Sequence, residues 1–88
     1  MIKKIFKIQN KYGLHARPAA LLVKTSGKFK SDINIAKDGM VANGKSIMGI
    51  MTLVAETGSE IEVMINGADE KEAMNAIEEL IVKKFNED

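Results

Sequence analysis

Residues 13–20 read GLHARPAA and lie where a first strand gives way to a first helix. Pro18 suits the first turn of a helix, because the N–H group that proline lacks would have no helical partner there. The apolar run after it continues the helix as far as Gly27, a residue type that commonly ends helices. The segment therefore predicts a helix over 16–26 whose start is occupied by His15, the only histidine of the chain.

A histidine at the start of a helix is suited to chemistry on phosphate. The first N–H groups of a helix lie at the positive end of the helix dipole and have no helical partner, so those of Ala16 and Arg17 can hold an anion. The Arg17 guanidinium adds a forked cation, and a neutral imidazole at His15 offers a nucleophilic nitrogen. A surface histidine without a role is the alternative, and the neighbouring residues favour a site.

The rest of the chain predicts short strands and helices with apolar residues on one side of each. In chain order the expected elements are a strand over 2–8, the helix over 16–26, a strand through Ile33 and Ile35, a hairpin turn at Asp38-Gly39, a strand over 40–42, a helix over 47–53, a strand through Ile61, Val63 and Ile65, and a last helix that Asp69 and Glu72 cap. This βαββαβα order predicts an α+β fold with a four-stranded antiparallel sheet covered on one face by three helices. We expect one domain over 1–88.

The composition limits the kind of protein this is. The chain has no cysteine and one histidine, so disulfides and thiolate metal sites are excluded and zinc is not expected. Its first residues are basic but lack the apolar stretch of a signal peptide, and no run reaches the length that spans a membrane. We expect a cytoplasmic monomer with no metal, no cofactor and no membrane insertion.

The net charge of +1 hides a division along the chain. Residues 1–44 contain nine Lys or Arg and two acidic residues, whereas residues 45–88 contain four Lys or Arg and ten acidic residues. The first of two open alternatives is that four basic residues gather near the histidine, namely Arg17, Lys24, Lys28 and Lys45. Such a cluster attracts acidic protein surfaces and phosphorylated donors, whereas a surface of mixed signs is the alternative. Nucleic acid is not expected, because no array of aromatic residues is present and the acidic half repels phosphates.

Residues 39–46 also match the phosphate-loop pattern of nucleotide-binding proteins. A phosphate loop joins a buried strand to a long helix, whereas Gly39 here belongs to a hairpin turn and Gly49 interrupts the apolar run that follows. The strand that would supply a magnesium-binding acid ends in Asn66. We therefore do not expect this loop to bind a nucleotide.

Ser46 is expected to cap the helix over 47–53, with its hydroxyl accepting from N–H groups one turn ahead. A phosphate added to Ser46 would lie at the same helix start and would be tolerated there. Ile50 is expected to pack in the core. The expected partner-docking residues are Ala20, Lys24, Ile47, Met48 and Met51, because small side chains allow close approach and flexible thioethers adapt to several surfaces.

Residues 13–20 resemble the active-site signature of HPr, the histidine-containing phosphocarrier family of the bacterial phosphoenolpyruvate-dependent phosphotransferase system. The matching positions are Gly13, His15, Ala16, Arg17 and Pro18. The resemblance extends over essentially the whole chain and implies an open-faced β-sandwich. It implies that phosphorylated enzyme I passes a phosphoryl group to Nδ1 of His15, and that His15 passes it to enzyme IIA components during sugar uptake. Such a protein carries phosphate and has no turnover of its own.

The same resemblance implies a role for each neighbour of His15. Arg17 would neutralise the phosphoryl oxygens, the backbone N–H of Ala16 would orient the group, and Pro18 would hold the turn.

Residues 45–49, KSIMG, resemble the site at which a dedicated ATP-dependent kinase, the HPr kinase/phosphorylase, modifies HPr-like proteins. The resemblance implies that Ser46 is a regulatory phosphorylation site and that a catabolite-control transcription factor is a further partner. Gly44 departs from the bulkier residue expected before this motif, which puts kinase docking or the rigidity of the loop in question.

Two related classes share parts of this pattern. A regulatory HPr-like protein that never carries phosphate would lack the active histidine, which this chain keeps as His15. A nitrogen-branch phosphocarrier shares the His-x-Arg-Pro core, so the sequence leaves that alternative open. Ser46 favours the carbohydrate branch.

Overall fold

Four strands form one antiparallel sheet in the computed structural model, which describes residues 1–86. Their bounds are β1 Ile2–Lys7, β2 Asp32–Lys37, β3 Met40–Asn43 and β4 Glu60–Asn66. The spatial order is β1-β4-β2-β3, so the last strand of the chain lies between the first two. Glu87 and Asp88, which end the domain expected over 1–88, lie outside the described residues.

Three helices accompany the sheet and confirm the predicted order and the α+β open-faced sandwich. They are α1 Ala16–Ser26, α2 Ile47–Met51 and α3 Glu70–Val82, and a short turn over Lys84–Asn86 follows α3. None of the described helices combines the length and the apolarity that a membrane crossing requires.

The core lies between one face of the sheet and the helices. The alternation in β4 turns Ile61, Val63 and Ile65 inward, where each is at most 1% exposed, and α1 buries Ala19 and Leu22 against this layer. The other buried apolar side chains include Ile33 and Ile35 from β2, Ile50 from α2, and Ala73, Met74, Ile77 and Ile81 from α3. Phe85 completes this core from a left-handed turn that the sequence pattern did not indicate.

The second helix is shorter than predicted, because it ends at Met51 and not at Leu53. After Met51 the backbone tightens, and the N–H of Leu53 bonds to the carbonyl of Ile50 over 3.1 Å. The Thr52 hydroxyl donates to the carbonyl of Gly49 over 2.6 Å and so occupies an acceptor at the helix end. The chain then turns at Val54, whose φ is positive at 49°.

The predicted capping of α3 by Asp69 and Glu72 is wrong. Asp69 stands at the N-cap position, yet its side chain makes no capping bond. Its carboxylate accepts instead from the N–H of Lys30 at 2.9 Å, from the N–H of Ser31 at 3.0 Å and from the Ser31 hydroxyl. The segment that enters β2 thus supplies three donors to the carboxylate. Asp69 therefore ties the start of α3 to the start of β2.

These donors favour the ionised carboxylate. The bond from the Ser31 hydroxyl, and then that from the Lys30 N–H, hold the pKa of Asp69 below its ordinary value. Bonds from the N–H of Gly67 to Glu70 and from Lys83 to Glu79 lower the pKa of those two carboxyls as well.

We expect Asp69→Asn to destabilise the fold and to weaken its sensitivity to acid. A carboxyl whose pKa is lower in the folded chain contributes stability above its unfolded pKa of about 3.9, and that contribution is lost as the pH falls through the folded pKa. Urea unfolding over a pH series should therefore show the variant losing less stability than the wild type below about pH 4. The variant should still lose some stability at low pH, since Glu70 and Glu79 also have lowered pKa values. Glu72→Gln is the control and should show the same loss of stability at low pH as the wild type. The same loss in Asp69→Asn would contradict this account.

Candidate functional site

A short loop between β1 and α1 carries the histidine. Asn10 closes this loop with two hydrogen bonds to Gly13. Its side-chain Nδ2 donates to the backbone carbonyl of Gly13 over 2.6 Å, and its backbone carbonyl accepts from the N–H of Gly13 over 3.2 Å. Leu14 is buried, and its N–H donates to the carbonyl of Ala55 over 2.8 Å. The loop is thus held from within and against the segment that follows α2.

Gly13 is required at this point for two reasons. Its φ is +68°, in the left-handed region that favours glycine. A Cβ there would also overlap the carbonyl oxygen of Ala55 and come within 2.8 Å of Cα of Glu56. The absence of a side chain lets two backbones meet next to the histidine.

His15 occupies the N-cap position of α1, as predicted. Its φ and ψ are −79° and −170°, and its carbonyl accepts from the N–H of Ala19 over 3.0 Å, which is the first turn of the helical ladder. The N–H groups of Ala16 and Arg17 precede this bond and lie outside the ladder. The first turn of α1 contains no acidic residue that would compete with an anion. The imidazole is half-buried, whereas Ala16 and Arg17 are exposed.

Pro18 lies in the first turn of α1 and is buried. A proline ring fits this position without the loss of a helical hydrogen bond, and its restricted φ suits the first turn. Its packing therefore supports the start of the helix beside His15.

Tyr12 is a neighbour of the histidine that the sequence reasoning missed. Its ring meets the imidazole of His15 edge to face, with centroids 6.0 Å apart and planes at 90°. The ammonium group of Lys11 lies 5.3 Å from the centroid of the Tyr12 ring. The available signal was the position of the only tyrosine, three residues before the only histidine.

Ser46 caps α2, which confirms the structural role predicted for it. Its Oγ accepts from the N–H of Gly49 over 3.0 Å. The preceding Gly44 is buried against β2, where its N–H donates to the carbonyl of Ile33 over 2.7 Å and a Cβ would overlap the Ile33 side chain. Glycine at position 44, in place of the bulkier residue expected before the motif, thus has a structural cause. Ile33 occupies the space that a larger side chain would need.

The apolar residues of α2 divide between core and surface. Ile50 is fully buried, as expected, whereas Met48 is 79% exposed and Ile47 and Met51 are each 42% exposed. Helix α2 packs against α1, on which Ala20 and Lys24 are exposed. We refer to Ala20, Lys24, Ile47, Met48 and Met51 as the helical face.

Lys28 and Lys45 do not lie beside His15, so these two residues follow the alternative of a mixed surface. The ammonium group of Lys45 donates to the carbonyl of Phe29 over 2.8 Å, and Lys28 borders a shallow recess between the end of α1 and α3. Both residues therefore lie at the C-terminal end of α1, roughly 15 Å along the helix from His15 at 1.5 Å per residue. The hydrogen bond from Lys45 to the Phe29 carbonyl holds this side chain at that end of the helix. The sequence pattern did not indicate this bond.

Within residues 1–86, no three His, Cys, Asp or Glu side chains come together in a way that could hold a metal ion. The groups that could hold an anion near His15 include the N–H groups at the start of α1 and the exposed Arg17, two residues further along the chain. This arrangement suits an anionic group attached to the imidazole.

Comparison with known proteins agrees with this geometry. A family model described as "PTS HPr component phosphorylation site" matches residues 2–83. The chain is 44% identical to the phosphocarrier protein HPr of Treponema pallidum over the full length of both chains. It is 46% identical to the HPr-like protein Crh of Halalkalibacterium halodurans, over 96% of this chain and 100% of that protein. The crystal structure of an HPr from Thermoanaerobacter tengcongensis superposes with a TM-score of 0.97 at 48% identity, covering 100% of this chain and 99% of the other.

The open-faced sandwich, matched over the whole chain by the structure of an HPr, defines a small HPr-like domain. The chain belongs to the HPr family of the phosphotransferase system.

We expect Gly13→Ala to be more damaging than a glycine substitution at a similar φ in open space. Left-handed backbone costs a residue with a Cβ about 1 to 2 kcal/mol, and at Gly13 the overlap with Ala55 adds to that cost. Gly39→Ala is the matched control, because the φ of Gly39 is +84° and nothing lies within 4 Å of the added Cβ. Urea unfolding should give a loss above about 2 kcal/mol for Gly13→Ala and of about 1 to 2 kcal/mol for Gly39→Ala. Equal losses would mean that the close approach to Ala55 is unimportant.

Proposed function

We propose that this protein accepts a phosphoryl group from phosphorylated enzyme I on Nδ1 of His15 and passes it to enzyme IIA proteins during sugar uptake. The observation that carries the proposal is the place of His15 at the start of α1, ahead of N–H groups outside the helical ladder. Membership of the HPr family supports it. Such transfers occur in the cytoplasm.

The transfer is an exchange between two histidines. The lone pair on Nδ1 of His15 attacks phosphorus while the bond from phosphorus to the donor histidine breaks, and the donor imidazole leaves with that electron pair. Passing the group on to an acceptor histidine is the reverse process at His15. No water or metal ion is consumed, so the task of this protein is to present the nitrogen and to hold the phosphoryl oxygens.

Three neighbours supply that environment in this proposal. The guanidinium of Arg17 stabilises negative charge on the phosphoryl oxygens, and the N–H of Ala16 orients the group. Pro18, buried in the first turn, keeps the start of the helix in place. Because these groups belong to one rigid turn, they need little rearrangement during transfer.

The helical face would receive the partner. It combines exposed apolar side chains on α2 with the small Ala20 and the cation of Lys24 on α1. An apolar contact around a charged centre excludes water, which would otherwise hydrolyse the phosphohistidine. Basic residues on this side favour partners with acidic surfaces.

The decisive experiment is intact mass after incubation with phosphoenolpyruvate, magnesium and purified enzyme I. We expect one phosphoryl group that mild acid removes, and we expect none in His15→Ala. Arg17→Ala should remain folded and accept the group about 10- to 100-fold more slowly, the cost of losing a charge-assisted hydrogen bond. Arg17→Lys should recover part of the rate, because it restores charge without the fork. A phosphoryl group on His15→Ala would overturn the proposal.

Phosphorylation of Ser46 is the regulatory part of the proposal. The motif over 45–49 and the position of Ser46 at the start of α2, next to the exposed Met48, support it. A phosphate there would be tolerated by α2 and would repel a partner that brings a phosphoryl group or acidic residues. An HPr kinase/phosphorylase would add it, and a catabolite-control transcription factor would bind the modified form.

Three substitutions at Ser46 separate charge from capping. Asp and Asn both cap helices well, so Ser46→Asp and Ser46→Asn should be about as stable as the wild type, whereas Ser46→Ala should lose about 1 kcal/mol. We expect only Ser46→Asp to slow phosphoryl transfer from enzyme I, by several-fold. Rates and urea unfolding measured on all three would test this. Equal slowing in Ser46→Asn would show that charge is not the cause.

A regulatory protein that does not carry phosphate is the second candidate. It is favoured by the 46% identity to an HPr-like protein Crh. The mass experiment separates the two, because this candidate predicts no acid-labile group with any enzyme I and a group only on Ser46 with the kinase. A nitrogen-branch phosphocarrier would instead react fastest with the enzyme I of that branch.

A further inference from the structure

Methionine supplies all the sulfur of this chain. The sequence contains six methionines and no cysteine, so an oxidant that attacks sulfur meets only thioethers here. Exposure separates these thioethers, because Met48 is 79% exposed and Met51 is 42% exposed, whereas Met74 is 2% exposed and lies in the core. Reaction with a dissolved oxidant should therefore be fastest at Met48 and slowest at Met74.

The two methionines of α2 belong to the helical face. Residues three apart in a helix lie on the same side, so Met48 and Met51 are neighbours on the surface of α2. Ile50, which lies between them in sequence, is fully buried and turns this side of the helix toward solvent. Two of the three large apolar side chains of the helical face are therefore thioethers, and Ile47 is the third.

Oxidation converts such a side chain from an apolar group into a polar one. A lone pair on sulfur attacks the terminal oxygen of a hydroperoxide and the O–O bond breaks. The other oxygen leaves with that electron pair, takes the proton and becomes water or an alcohol. Sulfur is oxidised by two electrons and the peroxide is reduced by two. The resulting sulfoxide carries a hydrogen-bond acceptor, so its burial against an apolar surface is unfavourable.

We propose that Met48 and Met51 are modification sites that form an oxidation-sensitive switch on the helical face, an inference that rests on the phosphocarrier role proposed above. With both thioethers reduced, the face docks the phosphotransfer partner. With both oxidised by a hydroperoxide, docking weakens and transfer to His15 slows, although the histidine is unchanged. The switch is reversible, because methionine sulfoxide reductases restore the thioether at the expense of a thiol reductant.

The fold should survive this modification. Neither Met48 nor Met51 belongs to the buried core. Helix α2 is held by the burial of Ile50, by the bond from the N–H of Gly49 to Ser46 and by the bond from the Thr52 hydroxyl to the carbonyl of Gly49. None of these interactions involves a thioether. The effect of oxidation should therefore fall on contacts made outside the chain.

The test oxidises this protein alone. Purified protein is treated with hydrogen peroxide, the peroxide is removed, and transfer from phosphorylated enzyme I is then measured. Peptide mass mapping should show one added oxygen on Met48 and on Met51, and none on Met74. The KM for the oxidised protein should rise about three- to tenfold, with kcat changed less than about twofold. Methionine sulfoxide reductases with dithiothreitol should restore the original KM.

Two leucine variants locate the effect. Each is compared with itself before and after peroxide, so any change that the substitution makes to docking cancels. The double variant Met48→Leu, Met51→Leu should show no rise in KM after peroxide, because leucine has no sulfur. Met40→Leu is the matched control, since Met40 is 52% exposed but lies on β3, outside the helical face. This variant should keep the full wild-type response to peroxide.

Oxidation of Met48 and Met51 without a rise in KM would overturn the inference. An equal rise in the double leucine variant would also overturn it, because another group would then be the target. Urea unfolding completes the test, since a rise in KM with lost stability and an oxidised Met74 would place the damage in the core and so refute the switch. If untreated wild-type protein accepts no phosphoryl group, the phosphocarrier role fails instead, so the two failures are distinguishable.

Discussion

Two backbone segments meet at Gly13 and Ala55, and this contact positions the loop that carries His15. The N–H of Leu14 donates to the carbonyl of Ala55, and Gly13 passes so close to the same carbonyl that no Cβ fits. This contact sets where the loop ends and therefore where α1 begins. The position of His15 relative to the helix N–H groups follows from it. A loop anchored in this way keeps the imidazole in place, as the proposed transfer between different partners requires.

The remainder of the fold supports that arrangement from a distance. The sheet and α3 provide the core against which α1 packs, and Asp69 joins the start of α3 to the start of β2 through three hydrogen bonds. Helix α2, which Ser46 caps, packs against α1, so the exposed methionines lie on the same side of the sheet as the histidine. A rigid scaffold therefore surrounds the histidine, which suits the phosphocarrier role proposed for this protein.

Several features of the site were predictable because they depend on residues that are close in sequence. Pro18 and the apolar run behind it indicated the start of α1, and Gly27 indicated its end. Ser46 was identified as a cap because capping involves residues within one turn. The same local logic failed at Asp69, whose position before Glu72 suggested a capping box but whose donors come from Lys30 and Ser31. A pattern of neighbouring residues cannot reveal that hydrogen-bond donors far away in the sequence will bind the same carboxylate.

Local sequence patterns were enough to predict the alternation of strands and helices and the start of α1 at His15, because each follows from periodicity or capping over a few residues. Three features became visible only in the folded chain: Tyr12 meets the imidazole, Lys45 bonds to Phe29 away from it, and Val54 takes a left-handed backbone. The difference lies in the sequence separation over which each interaction acts. Periodicity and capping act between neighbours in the chain, whereas these three features depend on where segments separated in sequence meet in space.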